Sequence, residues 1–257
     1  MTDESARDEI MNATYEALCE HGYTELTAQA IADRTDKSKS LLFYHYDSKE
    51  DIVVSFFDFL LEHFDERVEE SRDRPPVDRL ALFVDWFLYD PADDERTSFH
   101  TAMLELRAQA PYNDRFQEQL RRSDDALRSA LEEILEAGLE SGDFHDHDPK
   151  ETAPLLIAAL DGARIRQLTM DRDAYLEEVR SGIATEIFDE LLAEDVEFPT
   201  RGAVTADSGS SVETDDEQAD NGRTDGERRG DEQTDNEQTD DEPLSRSTTD
   251  AAGDAPE

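Results

Sequence analysis

IADRTDKSKSLLFYHYDSKEDI, residues 31–52, reads as one short helix, a tight turn, a second short helix and the capped start of a third. Thr27 is placed to cap the first of these, and Ile31 with Ala32 gives it an inward apolar edge. Asp36-Lys37-Ser38 interrupts the pattern, and Asp tolerates the left-handed backbone that such a turn can require. Ser38 then caps a helix in which Leu42 and Tyr46, four apart, point inward. Lys39, Ser40, Phe43 and Tyr44 are left pointing outward. A cation, a hydroxyl and two aromatic rings on one outward face are odd for a solvated helix and suit a DNA groove. Ser48-x-x-Asp51 makes a capping box for the next helix, with Lys49 in its first turn. The arrangement is a helix-turn-helix with its second helix exposed.

The segment from Ile10 to Ile52 resembles the DNA-binding domain of TetR-family transcriptional repressors. The resemblance is carried by the apolar run Ile10–Leu18, then His21-Gly22-Tyr23, Leu26-Thr27, Ile31-Ala32, Ser38 through Phe43-Tyr44-His45-Tyr46, and Ser48-Lys49-Glu50. Two positions depart from the family pattern: Asp36 stands where Gly is usual, and Lys37 where a small apolar residue is usual. The first is sterically tolerable; the second either adds a phosphate contact or loosens the packing of the turn. The resemblance implies that Lys39, Ser40, Phe43 and Tyr44 meet the major groove and that Gln29 reaches a base edge, as Gln does with adenine. It also implies that Thr27, Leu41, His45 and Lys49 lie near phosphates, although Leu41 lacks the hydroxyl often found there. Lys37, Lys39 and Lys49 are three of only four lysines in the chain, the other being Lys150. Their clustering beside the exposed helix points to DNA independently.

Charge sets the conditions under which such binding could work. The chain of 257 residues carries 25 basic and 67 acidic residues, a formal net charge of −42. An acid-rich, lysine-poor composition is typical of proteins from organisms with very salty cytoplasm, where a Debye length of about 3 Å screens self-repulsion. The bland alternative is an acidic or partly disordered protein. The single cysteine, Cys19, reads as a small core filler and fits a reducing cytosol. No apolar segment suited to secretion or to crossing a membrane is present, so a cytoplasmic protein is expected.

Helical periodicity runs on from the capping box. Ile52, Phe56, Phe59, Leu60, Phe64 and Val68 form a fourth stripe, ended near Arg74-Pro75-Pro76. Leu80, Phe83, Val84, Phe87 and Leu88 form a fifth, broken at Asp90-Pro91; Phe99, Met103, Leu106 and Ala110 form a sixth, stopped by Pro111. A long helix is predicted from Asn113 to Ser141 with Gly142 past its end, and Asp148-Pro149-Lys150-Glu151 opens another. In that eighth helix the apolar residues Leu155 to Ile165 go all round, so it is buried on most sides. A last helix is predicted over 172–193. The fold class is therefore all-α: a three-helix DNA-binding domain at 1–50, a helical ligand-binding and dimerisation domain at 51–199, and a disordered acidic tail at 200–257, where a Thr-Asp-x-Glu repeat replaces apolar residues.

In the TetR family the last two helices pair with their copies across a two-fold axis. The resemblance thus implies a homodimer joined through Leu156, Leu160, Gly162, Ala163, Ile183, Ile187 and Leu191, reading a palindromic operator on double-stranded DNA and released by a small-molecule effector. Phe83, Trp86, Phe87, Phe99, Met103 and Phe116 are candidates for the effector pocket, each more readily read as plain core. His145-Asp146-His147-Asp148 resembles a metal cluster, but Asp148 is better used as a helix cap, so no metal or cofactor is expected. An enzyme is disfavoured by the absence of a nucleophile motif or phosphate loop. The remaining alternative is a helical interaction protein that kept the fold and lost operator binding.

Overall fold

A computed structural model describes residues 3–35, 39–90, 92–170, 172 and 174–204. The expectations placed on Asp36, Lys37, Ser38, Pro91 and the acidic repeats beyond residue 204 lie outside these residues, as do the side chains of Lys39 and Ser40. Among the described residues there is no strand, only one antiparallel bridge between Phe144 and Leu192. The helices are α1 (Asp3–Glu25), α2 (Ala28–Ala32), α3 (Lys39–His45), α4 (Lys49–Glu70), α5 (Pro76–Phe87), α6 (Asp94–Gln109), α7 (Asp114–Ser141), α8 (Pro149–Met170) and α9 (Tyr175–Ile183). The last continues through a π turn at Ala184–Phe188 into a short turn at Asp189–Leu191.

Local chemistry sets most of these boundaries. Thr27 accepts the Ala30 amide at 3.0 Å, and Ser48 accepts the Asp51 amide at 3.1 Å, each relieving an amide that the first turn leaves without a partner. Asn113 does the same for Arg115 and Phe116. Gly142, at φ 81°, closes α7 in the left-handed conformation. Asp148 accepts the Lys150 amide at 2.9 Å at the start of α8. Pro154 lies inside α8 and cannot donate to the Lys150 carbonyl; Arg128 donates to that oxygen instead, at 3.4 Å.

Two apolar clusters hold the helices together. One gathers Ile10, Met11 and Leu18 of α1, Ile31 of α2, Leu42 of α3 and Phe56 of α4 with Leu106 of α6 and Phe116 of α7. The three N-terminal helices thus complete their core with residues from much later in the chain. The second joins α5, α7, α8 and α9 through Leu80, Val84, Leu131, Leu135, Leu160 and Leu176. Gly138 is required here: a Cβ would sit 2.0 Å from the ring of Phe144, which folds back onto α7 after the turn at Gly142.

The regular part of α1 ends at Gly22, whose φ of 68° and ψ of 177° fall in a region essentially reserved for glycine. Glu105 of α6 occupies the space beside it, 2.6 Å from where a Cβ would stand, and accepts the Thr24 amide at 2.9 Å and its hydroxyl at 3.1 Å. Gly22→Ala should therefore cost about 1–3 kcal/mol from backbone strain and loosen this clasp as well. Chemical denaturation checks the first effect and amide exchange at Thr24 the second. An unchanged unfolding midpoint would contradict it.

Candidate nucleic-acid interface and ligand cavity

The exposed helix is α3. Leu42 is fully buried beneath it, while Phe43 is 48% exposed and Tyr44 81% exposed, an outward aromatic pair that solvent alone would not select. His45 is exposed beside them, its ring edge-on to Tyr44 at 5.1 Å. Leu41 is half-buried. Tyr46, expected inward, is half-buried just past the helix end.

Three of the polar residues nearby have intramolecular duties. Thr27 is the α2 cap described above. The Gln29 amide donates to the Asp33 carboxylate at 2.6 Å, one turn on. Lys49 donates to the Tyr23 carbonyl at 3.0 Å and stands 4.3 Å from the centre of the Tyr23 ring, so its charge is turned partly toward the α1–α2 corner. The corner is held from the other side by Arg34, which bonds the Ala30 carbonyl at 2.6 Å and forms an ion pair with Glu20. Below α3, Ser48 and then Arg115 hold the Asp51 carboxyl below the usual carboxylate range. These contacts fasten α2 and the start of α4, which flank α3, to α1 and α7.

Behind the head lies a cavity of about 420 Å³, within the range of small-molecule sites. Trp86, Phe99 and Met103 line it. Phe83, Phe87 and Phe116 do not: they are buried in the two cores, because their faces of α5 and α7 meet neighbouring helices. The rest of the apolar wall comes largely from α4, through Phe57, Phe59, Leu60 and Phe64. Its polar members were not anticipated. His100 and Arg164 are buried, and Asp161 pairs with both Arg107 and Arg164. Burial, and then the guanidinium groups of Arg164, Arg96 and Arg107, push the His100 imidazole down to about 2, so it is neutral across the physiological range. The signal was available in the sequence: an Asp and an Arg, three apart, interrupt the otherwise apolar stretch from Leu155 to Ile165.

The residues expected at a dimer interface separate into two groups. Leu156, Leu160, Ala163, Ile183 and Leu191 are buried inside the subunit, whereas Gly162 and Ile187 remain half-exposed. The outward face of α8 is the neighbouring one: Leu155, 63% exposed, Ala158, Gly162 and Met170, 51% exposed. A Cβ added to Gly162 would meet nothing within 4 Å, so this stripe is open to close approach. No helix among the described residues is long and apolar enough to cross a membrane.

Residues 10–56 match the model of bacterial regulatory proteins of the tetR family, and residues 76–199 match that of the C-terminal domain of BetI-type transcriptional repressors. A crystal structure of a TetR transcription regulator from Haloarcula marismortui is 37% identical, with a TM-score of 0.65, over 74% of this chain and 100% of that one. A regulator from Saccharomonospora viridis, solved in complex with choline, superposes with a TM-score of 0.63 at 22% identity, over 74% of this chain and 100% of that one. The fatty acid metabolism regulator protein of Bacillus subtilis is 26% identical over 140 residues, 54% of this chain and 70% of the relative.

Proposed function

The chain belongs to the TetR family of DNA-binding transcriptional regulators, and from that premise we propose that it is a homodimeric repressor that leaves a palindromic operator when a small molecule fills its cavity. The observation that carries the reading is the outward aromatic pair Phe43 and Tyr44 on the second helix of a helix-turn-helix, whose inward Leu42 is fully buried. A partly open, partly apolar cavity behind that head supports effector control, as does the choline held by the relative from Saccharomonospora viridis. An effector acts by preferring the conformation that does not bind DNA, so effector and operator weaken one another reciprocally. α6 is the natural link: Phe99, Met103 and Arg107 face the cavity, and Glu105 of the same helix holds Thr24 in the head.

The dimer forms through the outer face of α8. A two-fold axis there sets Leu155 and Met170 against their copies, with Gly162 letting the backbones approach. Leu155→Glu combined with Met170→Glu should leave the subunit folded, convert the dimer to monomer in sedimentation equilibrium, and weaken operator binding about a hundredfold or more through lost bivalency. A double variant that remains dimeric would remove α8 from the interface.

The acidic composition and the relative from Haloarcula marismortui support a protein that works at high salt. The decisive experiment is selection of bound duplexes from a random DNA pool in roughly 2 M KCl, where the Debye length is at most about 3 Å. Enrichment of a palindrome establishes the dimeric regulator. Failure to enrich any motif, with the protein folded and dimeric, favours a helical interaction protein instead.

A further inference from the structure

The polar groups of the cavity are not evenly placed. Glu95 and Asp124 lie at its exposed rim, where water screens them, and Glu95 is bonded by the Tyr15 hydroxyl. One carboxylate, Asp161, serves two guanidinium groups, those of the buried Arg164 and the exposed Arg107, leaving this cluster with one positive charge in excess. Each guanidinium presents five N–H donors, and one carboxylate cannot satisfy two of them. Beside this cluster Arg164 already stands against an aromatic face, 5.8 Å from the centre of the Trp86 ring and 4.8 Å from that of the core residue Phe87. A quaternary ammonium group placed beside this cluster would meet a like charge.

We infer that the cavity takes an amphipathic organic oxyanion, its head between Arg107 and Arg164 beside Asp161 and its apolar body along the wall formed by Phe59, Phe64 and Phe99. This assignment rests on the cavity being the effector site and names the chemistry that the site selects. The anion and Asp161 compete for the same two arginines. Ligand entry therefore loosens the bond between α6, which carries Arg107, and α8, which carries Asp161.

Trp86 is the only tryptophan in the chain and lines the cavity, so its fluorescence reads occupancy directly, without DNA. The full chain in about 1 M KCl is titrated with micromolar decanoate, decyl phosphate, decanol and decyltrimethylammonium. One of the two anions should bind at least about tenfold more tightly than the alcohol and the cation, and which anion wins identifies the head group. Arg107→Gln should weaken that anion about tenfold and leave the alcohol unchanged. Asp161→Asn, which removes the internal competitor, should tighten it by a similar factor. A purely structural Asp161 would instead weaken all four probes. Equal or tighter binding of the cation or alcohol, or no fluorescence response to either anion, overturns the assignment. Operator release is scored separately. An anion that binds and leaves the operator occupied upholds the cavity chemistry and overturns the effector reading; an uncharged or cationic inducer does the reverse.

Discussion

Arg180→Met should lower the unfolding free energy by about 3–5 kcal/mol, the cost of stranding one member of a buried ion pair. The Arg180 side chain is 8% exposed and that of Asp85 17% exposed. Arg180 donates to Asp85 through Nε at 3.0 Å and to the Pro199 carbonyl through Nη2 at 2.9 Å, and it lies 5.3 Å from the centre of the Phe198 ring. The second Asp85 oxygen accepts the Gly202 amide at 3.0 Å. Two residues thus fasten the segment after the last helix onto α5 and α9. Methionine keeps the packing on Phe198 but leaves the Asp85 carboxylate in a poorly solvated site with a single amide donor.

The sign pattern separates this from loss of packing. Arg180→Met together with Asp85→Leu removes both charges and should recover most of the loss, because a buried pair replaced as a unit by apolar groups is often neutral. Proteolysis between residues 193 and 204 should quicken in the single variant and return toward normal in the double. Denaturant unfolding at fixed protein concentration and high KCl reads the effect, since salt screens a buried pair far less than an exposed one. A single variant costing under about 1 kcal/mol would show that water already reaches Asp85.

Asp85 and Arg180 are 95 residues apart, and nothing in either neighbourhood of the sequence announces the other. The same limit runs through the fold. Thr27, Ser48, Gly142 and Asp148 are legible as caps because a cap acts within three residues of itself, whereas Asn113, read as the first residue of its helix, proves to be its cap. Leu42 against Tyr44 was legible because helical period alone separates inside from outside on a short amphipathic helix. On α8 that argument fails. Leu155, Leu156, Ile157 and Leu160 are all apolar, and which of them faces the subunit and which faces outward depends on where α7 and α9 pack. Phe83, Phe87 and Phe116 read as cavity candidates yet lie in the cores for a related reason: an aromatic on a core-facing stripe has the same spacing whether it meets a helix or a void. The polar cluster around Asp161 draws on α6 and α8, so only the folded chain brings it together.

Tyr44→Ala should weaken operator binding by about thirty- to a hundred-and-fiftyfold while leaving stability within roughly 0.5 kcal/mol, since the ring is 81% exposed. The magnitude follows from losing about 1–1.5 kcal/mol of groove contact in each half-site, doubled by two-fold symmetry. Affinity for unrelated duplex should hardly change if Tyr44 meets the groove as proposed, because non-specific binding rests on phosphate contacts. Lys49→Ala offers the opposite signature. Its ammonium is held by the Tyr23 carbonyl and ring, so its loss should reduce stability by about 1 kcal/mol. The salt slope of DNA binding should then shift by less than the full unit expected of a committed phosphate contact. Wild-type protein should itself show a flat or rising affinity up to molar KCl, because an acidic binding face takes up cations as the duplex sheds them. Fluorescence anisotropy of the selected operator across about 0.2–2 M KCl measures all three. A steep fall in affinity over that range would mean that lysines outweigh the carboxylates at the interface, and that the chain binds DNA by the ordinary release of counterions.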